Sequence, residues 1–245
     1  MKHKFLFILL FSLVLEGMVT TQAVAGDYVH QVNTLIGTKG TGLTSGYLYP
    51  GATYPYGMVQ FTPSYFSKRS GFVINQLSGG GCEHMGNFPT FPVKGKLKMS
   101  PDNILNYRIN VSEEKGHAGY YEAMVQEDIK AKLTVTERTG MASYEYPADQ
   151  QYGTIIIGGG ISATPIEQAA IVITAPNKCE GYAEGGNFCG LRTPYKVYFV
   201  AEFDTDAFET GTWKREELMP NTTFAEGELS LIHISEPTRP EPISY

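Results

Sequence analysis

The chain has 245 residues and a formal net charge of -6, from 25 Asp and Glu against 19 Lys and Arg, with 42% hydrophobic, 12% aromatic and 18% charged content. This is the composition of a globular protein, and the acidic balance without a basic run gives no means of neutralising a phosphate backbone, so a nucleic-acid partner is not expected. The 27 glycines and 14 prolines favour turns over long helices, which excludes a coiled coil or helical array.

Lys2 and Lys4 precede an apolar run from Phe5 to Leu15, and Ala23-Val24-Ala25 follows. A basic start, a short apolar core and a small-x-small site together read as a signal peptide over residues 1–25. The apolar run is too short to span a bilayer, so export to the periplasm or extracellular space is expected, with no membrane span.

Between Gly46 and Met58 four tyrosines sit among two prolines and three glycines. Rigid loops that carry aromatics make good walls for a sugar ring, because tyrosine offers a flat apolar face and a hydroxyl at low entropic cost. The same tyrosines could equally pack beneath the loop. A weak strand is predicted from Met58 to Thr62.

The segment Leu77-Ser78-Gly79-Gly80-Gly81-Cys82-Glu83-His84-Met85-Gly86-Asn87 runs from a glycine-rich stretch into a thiol, a carboxylate and an imidazole. Three glycines permit close backbone approach to a ligand or to another part of the chain. Consecutive Cys82, Glu83 and His84 lack the spacing that makes metal ligands converge, and the segment lacks the Lys-[Ser/Thr] pair of a phosphate loop.

Further along, Ile129 to Thr136 alternates apolar and polar residues with period 2, placing Ile129, Ala131, Leu133 and Val135 on one face of a half-buried strand. Tyr120 to Gln126, Met141 to Tyr146 and Tyr195 to Phe203 repeat the pattern. Gly153 to Gly158 and Ala169 to Thr174 are short apolar runs suited to strands covered on both faces. Cys179 and Cys189 either close a small loop as a disulfide or stay free, with Cys82 odd. Asn110-Val111-Ser112 and Asn221-Thr222-Thr223 match the N-glycosylation pattern, which is without meaning in a bacterial chain.

These short strands, bounded by Gly, Pro, Asn and Asp, predict an all-β fold, a large antiparallel β-sandwich over residues 26–228. From Leu229 the character changes. Pro237, Pro240 and Pro242 argue against a central strand, and Leu229 to Pro240 resembles the translation of sequencing-adapter DNA. Residues 229–245 are therefore expected to be a non-native or disordered tail, with the natural protein continuing differently beyond Glu228.

The same segments resemble the N-terminal domain of glycoside hydrolase family 92, the exo-acting α-mannosidases. The resemblance rests, in order, on Val32 to Thr38, Tyr49 to Pro63, Leu77 to Cys82, Gly119 to Tyr121, Ala131 to Gly140 and Pro194 to Phe199. It implies a galactose-mutarotase-like supersandwich followed, in the parent protein, by an (α/α)6 barrel that holds the general acid, the water-activating carboxylates and most calcium ligands. It also implies a mannose-containing glycan as substrate and the missing barrel as partner. Calcium then belongs to the full-length parent, and this fragment holds neither catalytic nor metal residues of its own. Tyr49, Tyr54, Gly80, Gly81, Cys82, Glu83, His84 and Asn87 become the residues implied to contact substrate. The chain departs from the family where Gln76 replaces a His, where Asn87 replaces an Asp, where Tyr47-Leu48-Tyr49 replaces Gly-Asn-Thr, and where Tyr65 to Gly71 replaces a Gly-Trp-x-Tyr stretch. Two alternatives stand beside the enzyme fragment: a free-standing carbohydrate-binding module and a structural adhesion domain.

Overall fold

The computed structural model describes residues 28–38, 48–64, 71–76, 86–101, 110–158, 166–188, 190–227 and 230–237. Residues 1–31 and 32–245 form separate compact units. In the first, Val29–Gln31 makes one 3-10 turn; the predicted signal peptide lies outside the described residues. In the second, the described strands are β1 (Ala52–Thr53), β2 (Gln60–Pro63), β3 (Phe72–Val73), β4 (Thr90–Lys94), β5 (Val111–His117), β6 (Tyr120–Val125), β7 (Ile129–Val135) and β8 (Gly140–Glu145). They continue as β9 (Tyr152–Ile157), β10 (Ile166–Ala175), β11 (Lys178–Phe188), β12 (Leu191–Glu202), β13 (Glu209–Lys214), β14 (Glu217–Pro220), β15 (Phe224–Gly227) and β16 (Ser230–Pro237). Among the described residues there is no α-helix, and none long and apolar enough to cross a membrane.

Three antiparallel sheets stack in the all-β arrangement the sequence predicts. An eight-stranded sheet, in the order β1-β2-β3-β4-β9-β16-β13-β14, lies between a sheet of β5 to β8 and a sheet ordered β12-β11-β10-β15. Alternation explains the first interface. Ile129, Ala131, Leu133 and Val135 are all buried, opposite Val125, Ala123 and Tyr121 of β6, and this face packs on Phe61, Phe72, Phe91, Ile156 and Trp213 of the large sheet. The intervening positions of β7 carry Lys130 and Lys132, which pair with Glu122 and Glu145 on the solvent side.

β9 is covered on both faces, as its apolar run predicts: Ile156 enters the first core while Ile155 and Ile157 enter the second. β10 differs from the expectation. Ala169, Ile171 and Ile173 are buried in the second core, but on the opposite face, where Ala170 is buried, Val172 is half-buried and Thr174 exposed. The sheet of β10 to β12 and β15 is therefore an outer layer.

β11 decides the disulfide question. It runs from Lys178 to Phe188 as one strand paired on both sides, so Cys179 and the residue before Cys189 lie roughly 30 Å apart at about 3.3 Å per residue. A disulfide needs Cα atoms within about 7 Å. Cys179 is instead a buried free thiol whose burial pushes its pKa up to about 12. Native protein at pH 8 is therefore expected to protect Cys179 from a thiol reagent until the chain unfolds. Rapid labelling of Cys179 in mass-spectrometric mapping, or a Cys179–Cys189 peptide, would contradict this strand.

At the end of the chain β16 inserts between β9 and β13, antiparallel to both. Proline removes a donor only at its own position, and Pro237 is the last residue of the strand while Pro240 and Pro242 lie past it.

Candidate functional site

Of the predicted site tyrosines, Tyr49 lies just before β1 and Tyr54 lies in the turn of the β1–β2 hairpin. Its base is tight because a side chain at Gly51 would sit 2.3 Å from the Phe61 carbonyl oxygen and Thr62 Cβ, which explains Pro50-Gly51-Ala52 in physical terms. Its tip closes by Gly57 N donating to Tyr54 O at 2.9 Å. Pro55 and Tyr56 occupy the middle of this turn, with Tyr56 at φ 60°, the left-handed third position of a type II turn that glycine usually fills. The strained backbone holds Tyr56 fully in solvent beside half-exposed Tyr54 and exposed Met58. Met58 N donates to Glu137 O at 2.7 Å and ties the tip to the β7–β8 turn. Tyr49 is half-buried, its hydroxyl oxygen shielded from solvent.

The hairpin is joined to the end of β3 by Gln60, which lies across from Thr53. Gln60 N donates to Ile74 O at 3.1 Å, and its side-chain amide donates to the backbone carbonyl of Gln76. Gln76 is buried, yet neither atom of its side-chain amide has a hydrogen-bond partner among the described residues.

Asn87 is fully buried on the far side of the glycine-rich segment. Its backbone N–H donates to Asn75 Oδ1 at 2.9 Å, and Asn75 Nδ2 donates back to Asn87 Oδ1 at 3.0 Å. Tyr195 from β12 donates its hydroxyl to the same Oδ1 at 3.2 Å. Two donors on one oxygen set the orientation of the amide. Among the described residues the Asn87 Nδ2 group is then left as a buried donor with no partner. Left-handed residues flank it, Gly86 at φ 73° and Phe88 at φ 52°, and Phe88 is held by its ring against Phe199 at a centroid distance of 4.2 Å. A left-handed non-glycine residue costs about 1–2 kcal/mol, which this ring contact offsets.

Of the predicted site residues, Gly80, Gly81, Cys82, Glu83 and His84 lie outside the described residues. Among the three described, the polar partners of Asn87 are Asn75 and Tyr195, and neither Tyr49 nor Tyr54 is among them. Asn75 and Tyr195 are the residues the sequence reading missed. Asn75 is one polar residue beside the Gln76 departure, and Tyr195 reads as an ordinary member of an alternating strand.

Chemically, the assembled groups are amides and a phenol, which can orient a hydroxyl-bearing ligand by hydrogen bonds. They also do not fit calcium, which takes six to eight oxygens with carboxylates among them. Among the described residues no three His, Cys, Asp or Glu side chains gather as a metal-holding group.

The sequence matches the glycosyl hydrolase family 92 N-terminal domain over residues 31–238. The chain belongs to this family. Among its relatives is an "uncharacterized secreted glycosidase" of Arthroderma benhamiae, 30% identical over 159 residues that take in 56% of this chain and 20% of the relative. Solved structures share the family 92 fold. An α-mannosidase from Bacteroides thetaiotaomicron in complex with mannoimidazole superposes with a TM-score of 0.72 at 24% identity, over 86% of this chain and 30% of that one. An inverting mannosidase from the same species gives 0.65 at 19% identity, over 85% and 29%. The chain thus spans about 30% or less of the length of these family 92 proteins.

Proposed function

We propose that this chain is the N-terminal part of an exported bacterial exo-α-mannosidase, which in its full length removes terminal α-mannosyl residues from glycans with inversion and with calcium bound in the remainder of the protein. The observation that carries the reading is the family 92 N-terminal match over residues 31–238, in a chain that spans under a third of the relatives it resembles. Inversion needs a general acid and a general base on opposite sides of the sugar with room for a water between them. The cluster around Asn87 supplies neither, so its part is to bind. In this reading Asn87 Nδ2 and the Gln76 amide, together with Gly80, Gly81, Cys82, Glu83, His84, Tyr49 and Tyr54, form one wall of the sugar pocket, and the remainder of the protein supplies the other.

The exposed apolar tip formed by Tyr54, Tyr56 and Met58 favours this reading over a free-standing carbohydrate-binding module. An exposed apolar surface suits a contact with the remainder of the protein, whereas a module calls for a polar groove rimmed by tyrosines.

The test begins with amplification of the natural reading frame across the position of Glu228. A frame that continues for several hundred residues, and whose product cleaves an aryl α-mannoside while the 245-residue chain does not, is the expected result. In that product Asn87→Ala is expected to raise KM about tenfold, from the loss of one buried hydrogen bond of about 1–2 kcal/mol. Hydrolysis by the 245-residue chain alone, or a frame that stops at Tyr245, overturns the proposal.

A further inference from the structure

Beyond the sugar-site reading, and independent of it, β12 presents an unusual edge. The outer sheet runs β12-β11-β10-β15, so β12 pairs with β11 on one side, and among the described residues nothing pairs with the other. Natural edge strands are commonly short, bulged, or interrupted by charge and proline to prevent pairing with another chain. β12 is twelve residues long, its proline, Pro194, lies near its start, and Val197-Tyr198-Phe199-Val200-Ala201 contains no charge, glycine or proline. Tyr198 and Val200 are exposed on its outward face at 70% and 62%. Its inward face, Val197, Phe199 and Ala201, packs on the second core and remains partly open along the edge.

The order of residues makes this edge complementary to itself. In an antiparallel pair, directly opposed residues point to the same face, so two copies related by a two-fold axis at Phe199 place position 196 opposite 202 and 198 opposite 200. Lys196 then faces Glu202 of the second copy twice over, and Tyr198 faces Val200 twice over. On the inner face Val197 lies opposite Ala201 and Phe199 opposite itself. Shifting the register by two residues in either direction sets a charged residue against an apolar one. Within one copy Lys196 Nζ lies 2.6 Å from Glu184 Oε1 and 3.7 Å from the centroid of the Tyr182 ring, both on β11, so in the pair its ammonium is shared between Glu184 and Glu202 of the second copy.

We propose that the free edge of β12 pairs antiparallel with β12 of a second copy about Phe199, joining the two outer sheets into one eight-stranded sheet in a two-fold dimer. Strand pairing of this kind is isologous and closes on itself, which favours a dimer over an open polymer. The buried area of a single strand pair is modest, so the dimer is expected to dissociate in the micromolar range, about 1–100 µM.

Sedimentation equilibrium of the chain at low salt tests this, with circular dichroism as the control for folding. Lys196→Glu and Glu202→Lys each oppose like charges twice across the axis and are expected to weaken the dimer about tenfold. The double variant restores opposite charges and is expected to return within about threefold of the parent. Val200→Lys places a charge on the outward face of the edge without touching either core, and is expected to give a monomer. A monodisperse monomer at several hundred micromolar overturns the proposal. So does a double variant no tighter than the singles, dimerisation unaffected by Val200→Lys, or an open series of larger species.

Discussion

A chain ended after Glu228 is expected to lose cooperative folding altogether. β16 pairs six residues with β9 on one side and six with β13 on the other, so its removal opens the central sheet beside both cores rather than trimming an edge. Each buried backbone group left without a partner costs about 1–3 kcal/mol. Against a total stability of about 5–15 kcal/mol, a handful of such groups exceeds the whole. The expected observations are loss of a sigmoidal urea transition and binding of a hydrophobic dye at low denaturant. A shortened chain that unfolds at the same urea midpoint as the 245-residue chain would show that β16 does not hold the central position described above. The test matters because this strand lies in the stretch whose composition argues against membership of the fold.

Trp213→Ala is expected to destabilise the chain by about 3–5 kcal/mol, the range for removing a large aromatic side chain from a packed core. Trp213 is fully buried in β13 within the first core, together with Ile156, Phe91 and Leu133. For a domain of this size 1 kcal/mol shifts Tm by about 2–4 °C, so a fall on the order of 10 °C should be visible by circular dichroism. Trp213→Phe keeps much of the apolar volume and is expected to recover more than half of the loss. If alanine costs less than about 1 kcal/mol, Trp213 is not in the core described. Its burial also means that the sole tryptophan of the chain does not serve as a sugar platform.

Which strands were legible follows from how their burial is produced. β7 buries one face only, so its pattern of Ile129, Ala131, Leu133 and Val135 declares both the strand and its inward side. β9 announces itself as Thr154-Ile155-Ile156-Ile157 because both faces are covered. β11 does neither: Lys178-Cys179-Glu180-Gly181-Tyr182-Ala183-Glu184-Gly185-Gly186 carries three glycines and two carboxylates, residue types depleted in strands. It is a strand because β10 and β12 hydrogen-bond it from both sides. Gly181 is there because any Cβ would lie 2.3 Å from the Ala170 carbonyl oxygen and 2.8 Å from the Phe199 ring. That requirement comes from a neighbouring strand and has no local signature.

The site divides in the same way. The aromatic hairpin and the glycine-rich run stand out by composition, because rigid turns and close backbone approach need Pro, Gly and Tyr wherever they occur. Tyr195 could not be found that way. It is 108 residues from Asn87 in the chain, and only the stacking of the outer sheet on the central one brings its hydroxyl to the Asn87 amide.

By itself, the sequence determined that this is an all-β chain with a family 92 N-terminal character, since strand periodicity, turn residues and ordered motifs are local properties. The tertiary structure decided that residues 230–237 fill the middle of a sheet and that Cys179 stands alone. It also decided that the Asn87 amide is buried, with its Oδ1 accepting from Asn75 and Tyr195. Each of these depends on hydrogen bonds or burial supplied by residues distant in the chain, and no local pattern encodes a partner's position.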